Sequence, residues 1–388
     1  MKHPSYLKDL HARLIVTEPP DPRVRIFVVA TGGGAGLQHM LWSVPGSSAY
    51  LAGAAFPYST SQIDEFLGFA PKSYCSADTA LQLAMEAYYR AWEPSQEPTH
   101  TIGLAITASV ASSQKHRGDH RVFAAAFSDI DSSWSPTECE LREVTLRKDV
   151  GWDARANDGA VCDLMGLNVL FSLLRMPHVP LGSLMRTAID HYAIRDGVGD
   201  ARRLFFERGH FNAIGTRTAA PDPPYLLFPG AFNPPHDGHM FSARMAEALS
   251  RLQPTVFHIT ADPPHKPRLT VPQMLQRAKL LRGNARLFSE GDALYIEKAR
   301  RHSGLPIVVG ADALLRMLDP SWGPEILPML EEFQKLNTHF YVTSRKMDTE
   351  IVDLDSLPIP VRFRPMFTDL GRGPDLSSTS IRNGTHVN

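Results

Sequence analysis

The chain has 388 residues, of which 43% are apolar and 21% charged, proportions typical of globular proteins. Its net charge of −1 gives no basic surface suited to nucleic acid, and no apolar run approaches the roughly 20 residues that span a bilayer. The three cysteines lie far apart, which favours a reducing compartment and a cytoplasmic location. The length predicts two or three domains.

A strand followed by a glycine-rich turn dominates the N-terminal part of the sequence. Residues 1–23 are predicted to form an extension with a short helix, and Arg25–Ala30 is a buried-strand pattern rich in β-branched residues. The strand continues into Thr31 and three glycines, which either let the backbone approach a ligand or make a tight turn. Further elements are predicted to complete the domain: helices over 37–43, 76–89 and 158–174, and strands over 103–108, 121–127 and 141–146.

Residues 24–176 resemble the CinA C-terminal family, whose enzymes deamidate nicotinamide mononucleotide. The resemblance rests on the glycine turn after the first strand, on a Gly-Ser-Ser segment at 46–48 and on the later strands. It implies an α/β domain and a candidate surface for a homo-oligomer. It also implies an amidase-like site at the positions that match the family motifs: Thr31, Ser47, Ser48, Tyr58 and Thr107.

The chain departs from this family where the chemistry would be carried out. Thr31 stands in place of the nucleophilic serine, Ile63 stands in place of a lysine, and the loop after Thr107 lacks both family glycines. A hydroxyl without an activating partner is a weak nucleophile. The sequence therefore predicts a folded but inactive domain that binds the partner domain or sets oligomerisation. A domain that keeps its deamidase activity, and makes the chain bifunctional, is the alternative.

The segment 177–224 is predicted to connect the two domains. Two short helices are expected, over Leu181–Asp190 and Asp200–Glu207, followed by a proline-rich linker over Gly215–Pro224. The second domain is then expected to span 225–388.

The stretch from Tyr225 to Ser250 is the most informative part of the sequence. An apolar strand over Tyr225–Phe228 is followed by a loop with three prolines and a glycine, by two histidines with a second glycine between them, and by a helix over Met240–Ser250. This order brings two imidazoles to the first free amides of a helix. Those amides and the helix dipole suit a phosphate group.

The loop reads G-x-F-x-P-x-H-x-G-H and resembles the signature of the nucleotidylyltransferase superfamily. The resemblance implies that His236 and His239 are catalytic and stabilise charge on the phosphates while pyrophosphate leaves, as electrostatic catalysis of phosphoryl transfer requires. It implies nucleotide contacts from the rest of the motif: Gly230, Ala231, Phe232, Asn233 and Gly238. A surface loop with two incidental histidines is the alternative.

Four later segments resemble the nicotinamide and nicotinate mononucleotide adenylyltransferases within that superfamily. They are a Pro-Pro-His-Lys loop after the strand 255–260, a Gly-Ala-Asp end to the strand 305–312, a Ser-Arg end to the strand 339–345, and Ser-Ser-Thr-Ser-Ile-Arg near the C-terminus. The resemblance implies nucleotide binding by Lys266, Gly310, Asp312, Arg345, Ser377, Ser378, Thr379 and Arg382, and acceptor binding by Trp322. A solvated lysine, a core tryptophan and a plain serine helix cap are the alternatives.

The two resemblances together predict a two-domain α/β protein, with a doubly wound parallel (Rossmann-like) sheet in the second domain and the site outside the carboxyl ends of its strands. The implied substrates are ATP, carried with Mg²⁺, and a pyridine mononucleotide, in NAD biosynthesis or salvage. No metal site formed by the protein itself is predicted. The Y-T-x-D-T-L segment of many bacterial members is missing before the Gly-Ala-Asp strand. Phosphopantetheine or a polyol phosphate therefore remains an alternative acceptor, and a non-catalytic nucleotide sensor is the alternative from another class.

Overall fold

A computed structural model of the chain divides into two compact units, Met1–Gly215 and Thr216–Asn388. It describes residues 4–16, 24–92, 100–114, 117–129, 138–194, 223–281, 283–322, 325–347 and 350–382. Within these ranges, no helix combines the length and the apolar character needed to cross a membrane. Both units combine helices with a central sheet, so the predicted two-domain α/β class is confirmed.

The first unit contains a six-stranded sheet in the order β2-β1-β3-β4-β5-β6. The strands are β1 (Val24–Thr31), β2 (Leu51–Ala55), β3 (His100–Ser109), β4 (Arg121–Ser128), β5 (Glu138–Leu146) and β6 (Ile189–Ile194). β1 pairs in parallel with β2 and β3, whereas β3 to β6 pair antiparallel. The interiors of β3 and β4 are almost entirely buried, which explains their continuous apolar sequences.

The helices of the first unit pack against this sheet. They are α1 (Ser5–His11), α2 (Ala35–Trp42), α3 (Thr60–Leu67), α4 (Ala77–Ala91), α5 (Trp152–Leu173) and α6 (Leu184–Thr187). α4 begins where the hydroxyl of Ser76 accepts a hydrogen bond from the backbone of Thr79, an N-cap. Gly103 allows α4 to lie close to β3. A side chain at this position would come within 2.1 Å of the backbone of Ala84 and Tyr88.

The start of the predicted connector belongs to the first unit. β6 pairs with β5, and Ile189 lies in the apolar core, although we expected a helix over Leu181–Asp190. Only α6 is helical within that range. The backbone of β5 needs hydrogen-bond partners along its free edge, and this requirement outweighs the local helical pattern. The predicted helix Asp200–Glu207 and most of the proline-rich linker lie outside the described residues.

The second unit contains a seven-stranded sheet. Its strands are β7 (Leu226–Pro229), β8 (Thr255–Thr260), β9 (Arg286–Ser289), β10 (Ile307–Gly310), β11 (Phe340–Met347), β12 (Glu350–Val352) and β13 (Phe367–Arg372). The parallel strands follow the order β9-β8-β7-β10-β11-β13, and β12 joins β11 antiparallel. The chain order reverses between β7 and β10, which is the switch point of a doubly wound fold. The predicted sheet is confirmed.

The helices of the second unit follow the strands as expected for such a fold. They are α7 (Asp237–Ser250), α8 (Val271–Leu280), α9 (Tyr295–Arg301), α10 (Ala311–Met317), α11 (Ile326–Lys335) and α12 (Ser378–Arg382). α8 begins with a capping box, in which Thr270 and Gln273 each bond the other's backbone N–H. Short helical turns of other kinds occupy Ala12–Val16, Ser47–Ala49, Pro320–Trp322 and Val361–Met366.

Candidate functional site

A cavity of about 810 Å³ opens at the switch point of the second unit. The ends of β7, β8, β10 and β11 contribute to its wall, as the position of ligand sites in doubly wound folds predicts. Eight of the residues predicted from the sequence line it: Gly230, Ala231, Phe232, His239, Lys266, Gly310, Asp312 and Arg345.

Phe232 anchors the loop between β7 and α7. Its backbone has a positive φ of 45°, and its ring is buried with centroids 5.0 Å from the rings of both Phe257 and His239. A side chain at Gly230 would come within 2.6 Å of the Phe232 ring, so glycine is required for this packing. The aromatic contacts fix the loop against the sheet and hold His239 at the cavity.

The two motif histidines stack at the first turn of α7. Their ring centroids lie 3.7 Å apart, and the backbone N–H of His236 donates to Nδ1 of His239 over 3.2 Å. Burial, with the nearby charges of His236 and Arg345, lowers the pKa of His239 to about 3. His239 is therefore neutral at pH 7. Because its Nδ1 accepts a hydrogen bond, its own proton lies on Nε2, where it can be donated to a ligand oxygen.

Arg345 approaches this pair because two motif positions are glycines. A side chain at Gly238 would lie 3.0 Å from Nη1 of Arg345 and 3.1 Å from the His236 ring. One at Gly310 would lie 2.6 Å from Oδ1 of Asp312 and 3.3 Å from Nε of Arg345. The guanidinium itself is 3.9 Å from the Asp312 carboxylate and donates to the carbonyl of Leu376 over 3.3 Å. The glycines therefore make room for a cation beside the imidazoles.

Arg277 is a site residue that the sequence analysis did not select. It lies on α8 and lines the cavity four residues after Gln273, which also lines it. Burial, together with the charge of Arg382, lowers the pKa of Arg277 to about 10. The sequence did contain a signal for this position. The capping box predicts the start of α8, and Gln273 and Arg277, four residues apart, must then share a face of that helix. Arg277, Arg345 and Lys266 are three of the six Lys and Arg residues that line the cavity; the others are Arg268, Lys298 and Arg316.

The C-terminal motif contacts the loop and does not line the cavity. Ser378 donates to the carbonyl of Pro234 over 2.7 Å, and Arg382 donates to the carbonyl of Asn233 and, over 3.1 Å, to Thr379 Oγ1. The hydroxyl of Ser377 accepts from the backbone of Ser380 over 3.0 Å. The fold thus joins two motifs about 150 residues apart. His236, Asn233 and Gly238 also lie off the cavity wall, while the side chain of Trp322 is outside the described part of the chain.

In the first unit, the predicted amidase-like residues do not converge on one described cavity. Thr31 and Thr107 are neighbours at the carboxyl ends of β1 and β3, but the hydroxyl of Thr107 donates to the carbonyl of Tyr74 over 2.6 Å. Tyr58 is 71% exposed, and Ser48 is exposed beside Ser47. A cavity of about 490 Å³ in this unit is lined by other residues: Lys148, Asp149, Val150, Asp153, Ala154, Asn157, Asp158, Thr187 and Ala188.

The glycine run after Thr31 is packed against its neighbours. A side chain at Gly32 would come within 1.8 Å of the carbonyl of Ala108, and one at Gly33 within 2.6 Å of Cys162 Sγ. The carbonyl of Gly32 accepts from Arg155 over 3.3 Å. These glycines therefore permit close packing of β1, β3 and α5.

The family model for cytidylyltransferase-like proteins matches residues 227–384. These residues form a nucleotidylyltransferase-superfamily domain. The cytidylyltransferase-like domain contains the histidine pair, the cavity and α12. No match was found among curated proteins.

Solved structures similar to part of the chain are proteins of the CinA group. The competence/damage-inducible protein CihA from Agrobacterium tumefaciens is 18% identical, with a TM-score of 0.32 over 45% of this chain and 98% of that chain. A CinA superfamily protein from Escherichia coli is 13% identical, with a TM-score of 0.30 over 43% and 87%. A competence or damage-inducible protein from Enterobacter asburiae is 17% identical, with a TM-score of 0.29 over 43% and 95%.

Proposed function

We propose that the cytidylyltransferase-like domain transfers an adenylyl group from ATP to nicotinamide or nicotinate mononucleotide and releases pyrophosphate. The observation that carries the proposal is the closely packed pair His236 and His239 at the start of α7, beside a cavity lined by six Lys and Arg residues. A triphosphate placed there meets free helix amides and positive charge. The acceptor and the nucleotide follow from the resemblance of the motifs.

The reaction needs charge stabilisation more than covalent chemistry. An oxygen of the acceptor phosphate attacks the α-phosphorus of ATP. The bond from that phosphorus to the oxygen bridging to the β-phosphate breaks, and pyrophosphate leaves with the electron pair. The Nε2 proton of His239 is available to the α-phosphate oxygens, while Lys266, Arg277 and Arg345 offset the charge that moves onto pyrophosphate.

Mg²⁺ fits this site as a companion of the triphosphate. Among the residues that line the cavity, Asp312 supplies the carboxylate, and it already faces Arg316 at 3.7 Å and Arg345 at 3.9 Å. Mg²⁺ is commonly bound through one or two carboxylates, substrate phosphates and water. Bound in this way, it would neutralise phosphate charge, with Asp312 as its protein ligand.

The apolar part of the cavity wall supports an acceptor with an aromatic base. This wall includes the side chains of Leu294, Tyr295, Ile296, Met317 and Met329. Apolar and aromatic side chains with a few placed polar groups suit a planar heterocycle better than a polyol.

A substrate panel tests the proposal. Pyrophosphate release is measured for the full chain with ATP or CTP and with four acceptors: the two pyridine mononucleotides, phosphopantetheine and glycerol 3-phosphate. We expect ATP with a pyridine mononucleotide to exceed every other pair by at least about tenfold, a difference of about 1.4 kcal/mol in transition-state binding. A preference for CTP, or for another acceptor, would contradict the assignment of substrates. If no pair of substrates released pyrophosphate, the result would support a non-catalytic nucleotide sensor.

A further inference from the structure

Three side chains with metal-binding chemistry meet beneath the cavity of the cytidylyltransferase-like domain. His258 lies on β8, Asp292 lies in the loop between β9 and α9, and His302 directly follows α9. One ligand atom from each lies within 4.8 Å of the others. His258 and Asp292 are 0% and 1% exposed. The three positions are separated by 34 and 10 residues and form no recognisable sequence motif, so the sequence analysis did not find them.

The contacts of this cluster leave buried ligand atoms unsatisfied. Among the described residues, Nδ1 of His258 and Nε2 of His302 are buried without a hydrogen-bond partner. The buried carboxylate oxygens of Asp292 have ion-pair contacts at 3.3 Å with His258 and Arg301 but no hydrogen bond of good geometry. Each such atom normally carries a desolvation cost of about 1–3 kcal/mol. Groups of this kind in a native fold call for a specific explanation, and an ion is one.

Of the two neighbouring cations, Arg301 pairs with the Asp292 carboxylate and Lys298 does not. Lys298 donates to the backbone carbonyls of Asp292 and Ala293 over 2.5 and 2.7 Å, and not to the side chain. Arg301 approaches Oδ1 of Asp292 at 3.3 Å but is about half exposed, so it can move into solvent. His258 Nε2 lies 2.7 Å from the hydroxyl of Ser289 and 3.3 Å from Oδ2 of Asp292. A metal ion bound by this carboxylate would therefore replace its contact with Arg301, whose exposed side chain can turn into solvent.

We propose that His258, Asp292 and His302 bind one divalent transition-metal ion of the Zn²⁺ class, with a structural role. Two imidazoles and a carboxylate match the donor preference of such ions, whereas Mg²⁺ prefers oxygen ligands alone. The ion ties β8, the loop after β9 and the end of α9 together under the cavity wall to which His258 contributes. It is distinct from the Mg²⁺ that accompanies ATP.

The geometry needs only a local adjustment. Ligand atoms about 2.0–2.2 Å from a tetrahedral ion lie roughly 3.3 Å apart. The cluster must therefore close from at most 4.8 Å. His302 is the least buried member and contacts the hydroxyl of Tyr225 at 3.3 Å through Nδ1, so rotation of its ring can supply the movement.

Metal titration of the full chain tests the proposal without nucleotide. The protein is treated with a chelator, desalted and titrated with Co²⁺, followed by its visible absorption, and with Zn²⁺, followed by calorimetry and thermal unfolding. We expect one site per chain with a dissociation constant below about 1 µM, tetrahedral Co²⁺ absorption, and a higher unfolding temperature with Zn²⁺. Wild-type protein that binds neither ion at 100 µM would overturn the proposal, and the cluster would then be a network neutralised by Lys298 and Arg301.

Matched variants tie the binding to this cluster. His302→Gln should weaken binding at least about a hundredfold, because it removes a direct ligand and loss of an outer-shell partner alone costs about 10–100-fold. His339→Gln, which alters a half-buried histidine bonded to Thr368 in the same domain, should bind like wild type. Asp292→Asn keeps the side-chain shape and serves if His302→Gln fails to fold by circular dichroism. Equal binding by these cluster variants and His339→Gln would place the ion elsewhere and contradict the proposal.

Discussion

The backbone N–H of His236 donates to Nδ1 of His239 over 3.2 Å, and the two rings stack with centroids 3.7 Å apart. This arrangement selects the tautomer of His239 and points its remaining N–H away from the helix start. Phe232 packs on the same ring at 5.0 Å and restricts its motion. The pair is therefore held in place before any ligand binds, which is what electrostatic catalysis requires.

His239→Ala is expected to lower the turnover number for nucleotidyl transfer at least about a hundredfold, because it removes a preorganised donor to the reacting phosphate. The fold should survive, since the ring is only partly buried in the cavity wall. Steady-state kinetics and circular dichroism measure the two effects, and His339→Gln is the matched control. Turnover near that of wild type would show that His239 does not contact the reacting groups.

Arg277→Met is expected to raise KM for the nucleoside triphosphate by about tenfold or more, with a smaller effect on KM for the acceptor. The substitution keeps the long apolar stem and removes the charge that Arg277 contributes to the cavity wall. Arg300→Met is a suitable control because Arg300 is exposed and paired with Glu332 over 2.6 Å. Equal changes in both KM values would assign Arg277 to another role.

Arg382→Ala should likewise raise KM for ATP far more than KM for the acceptor. Its guanidinium donates to the carbonyl of Asn233 and to Thr379, so it lies against the loop between β7 and α7. Kinetics with either substrate held saturating separates the two constants. A variant whose two KM values rise together would indicate that α12 only stabilises the loop.

The lowered pKa of His239 predicts a dependence of stability on pH. Its pKa is about 3 in the folded chain against an ordinary value of 6.5, so between these values the unfolded chain binds one more proton. The free energy of unfolding should therefore fall as pH decreases from 6.5 toward 3. Urea denaturation at several pH values measures this dependence. The free energy of unfolding of His239→Gln should fall less steeply with decreasing pH, and the difference in slope should correspond to at most one proton. Parallel curves for wild type and variant would contradict the lowered pKa.

The first unit is predicted to release no ammonia from nicotinamide mononucleotide at a useful rate. Ile63, which occupies the position of the family lysine, is buried on α3 and cannot activate a hydroxyl. The hydroxyl of Thr107 is already bonded to the carbonyl of Tyr74. An ammonia assay on the full chain, with Thr31→Ala as control, checks this. Robust release that is lost in the control would make the protein bifunctional.

Strands and helices that are determined by the local pattern of apolar and turn-forming residues could be predicted from the sequence. β8 has the bounds read from its sequence, and the order strand, glycine loop, histidine pair, helix over 225–250 was readable because turn chemistry and helix propensity agree there. β6 was not predictable, since its conformation is set by the free edge of β5. Contacts between residues that are distant in the sequence could not be predicted either. They include the approach of Arg277 to Arg382 and the meeting of His258, Asp292 and His302.

The most direct test of the account follows the adenylyl group itself. The full chain is incubated with Mg²⁺, ATP labelled at the α-phosphate and either pyridine mononucleotide, and the labelled dinucleotide and pyrophosphate are quantified. We expect labelled dinucleotide and pyrophosphate in equal amounts from wild type and from His339→Gln, and at least about a hundredfold less of both from His239→Ala. Pyrophosphate without labelled dinucleotide, or equal yields from wild type and His239→Ala, would contradict nucleotidyl transfer at this site.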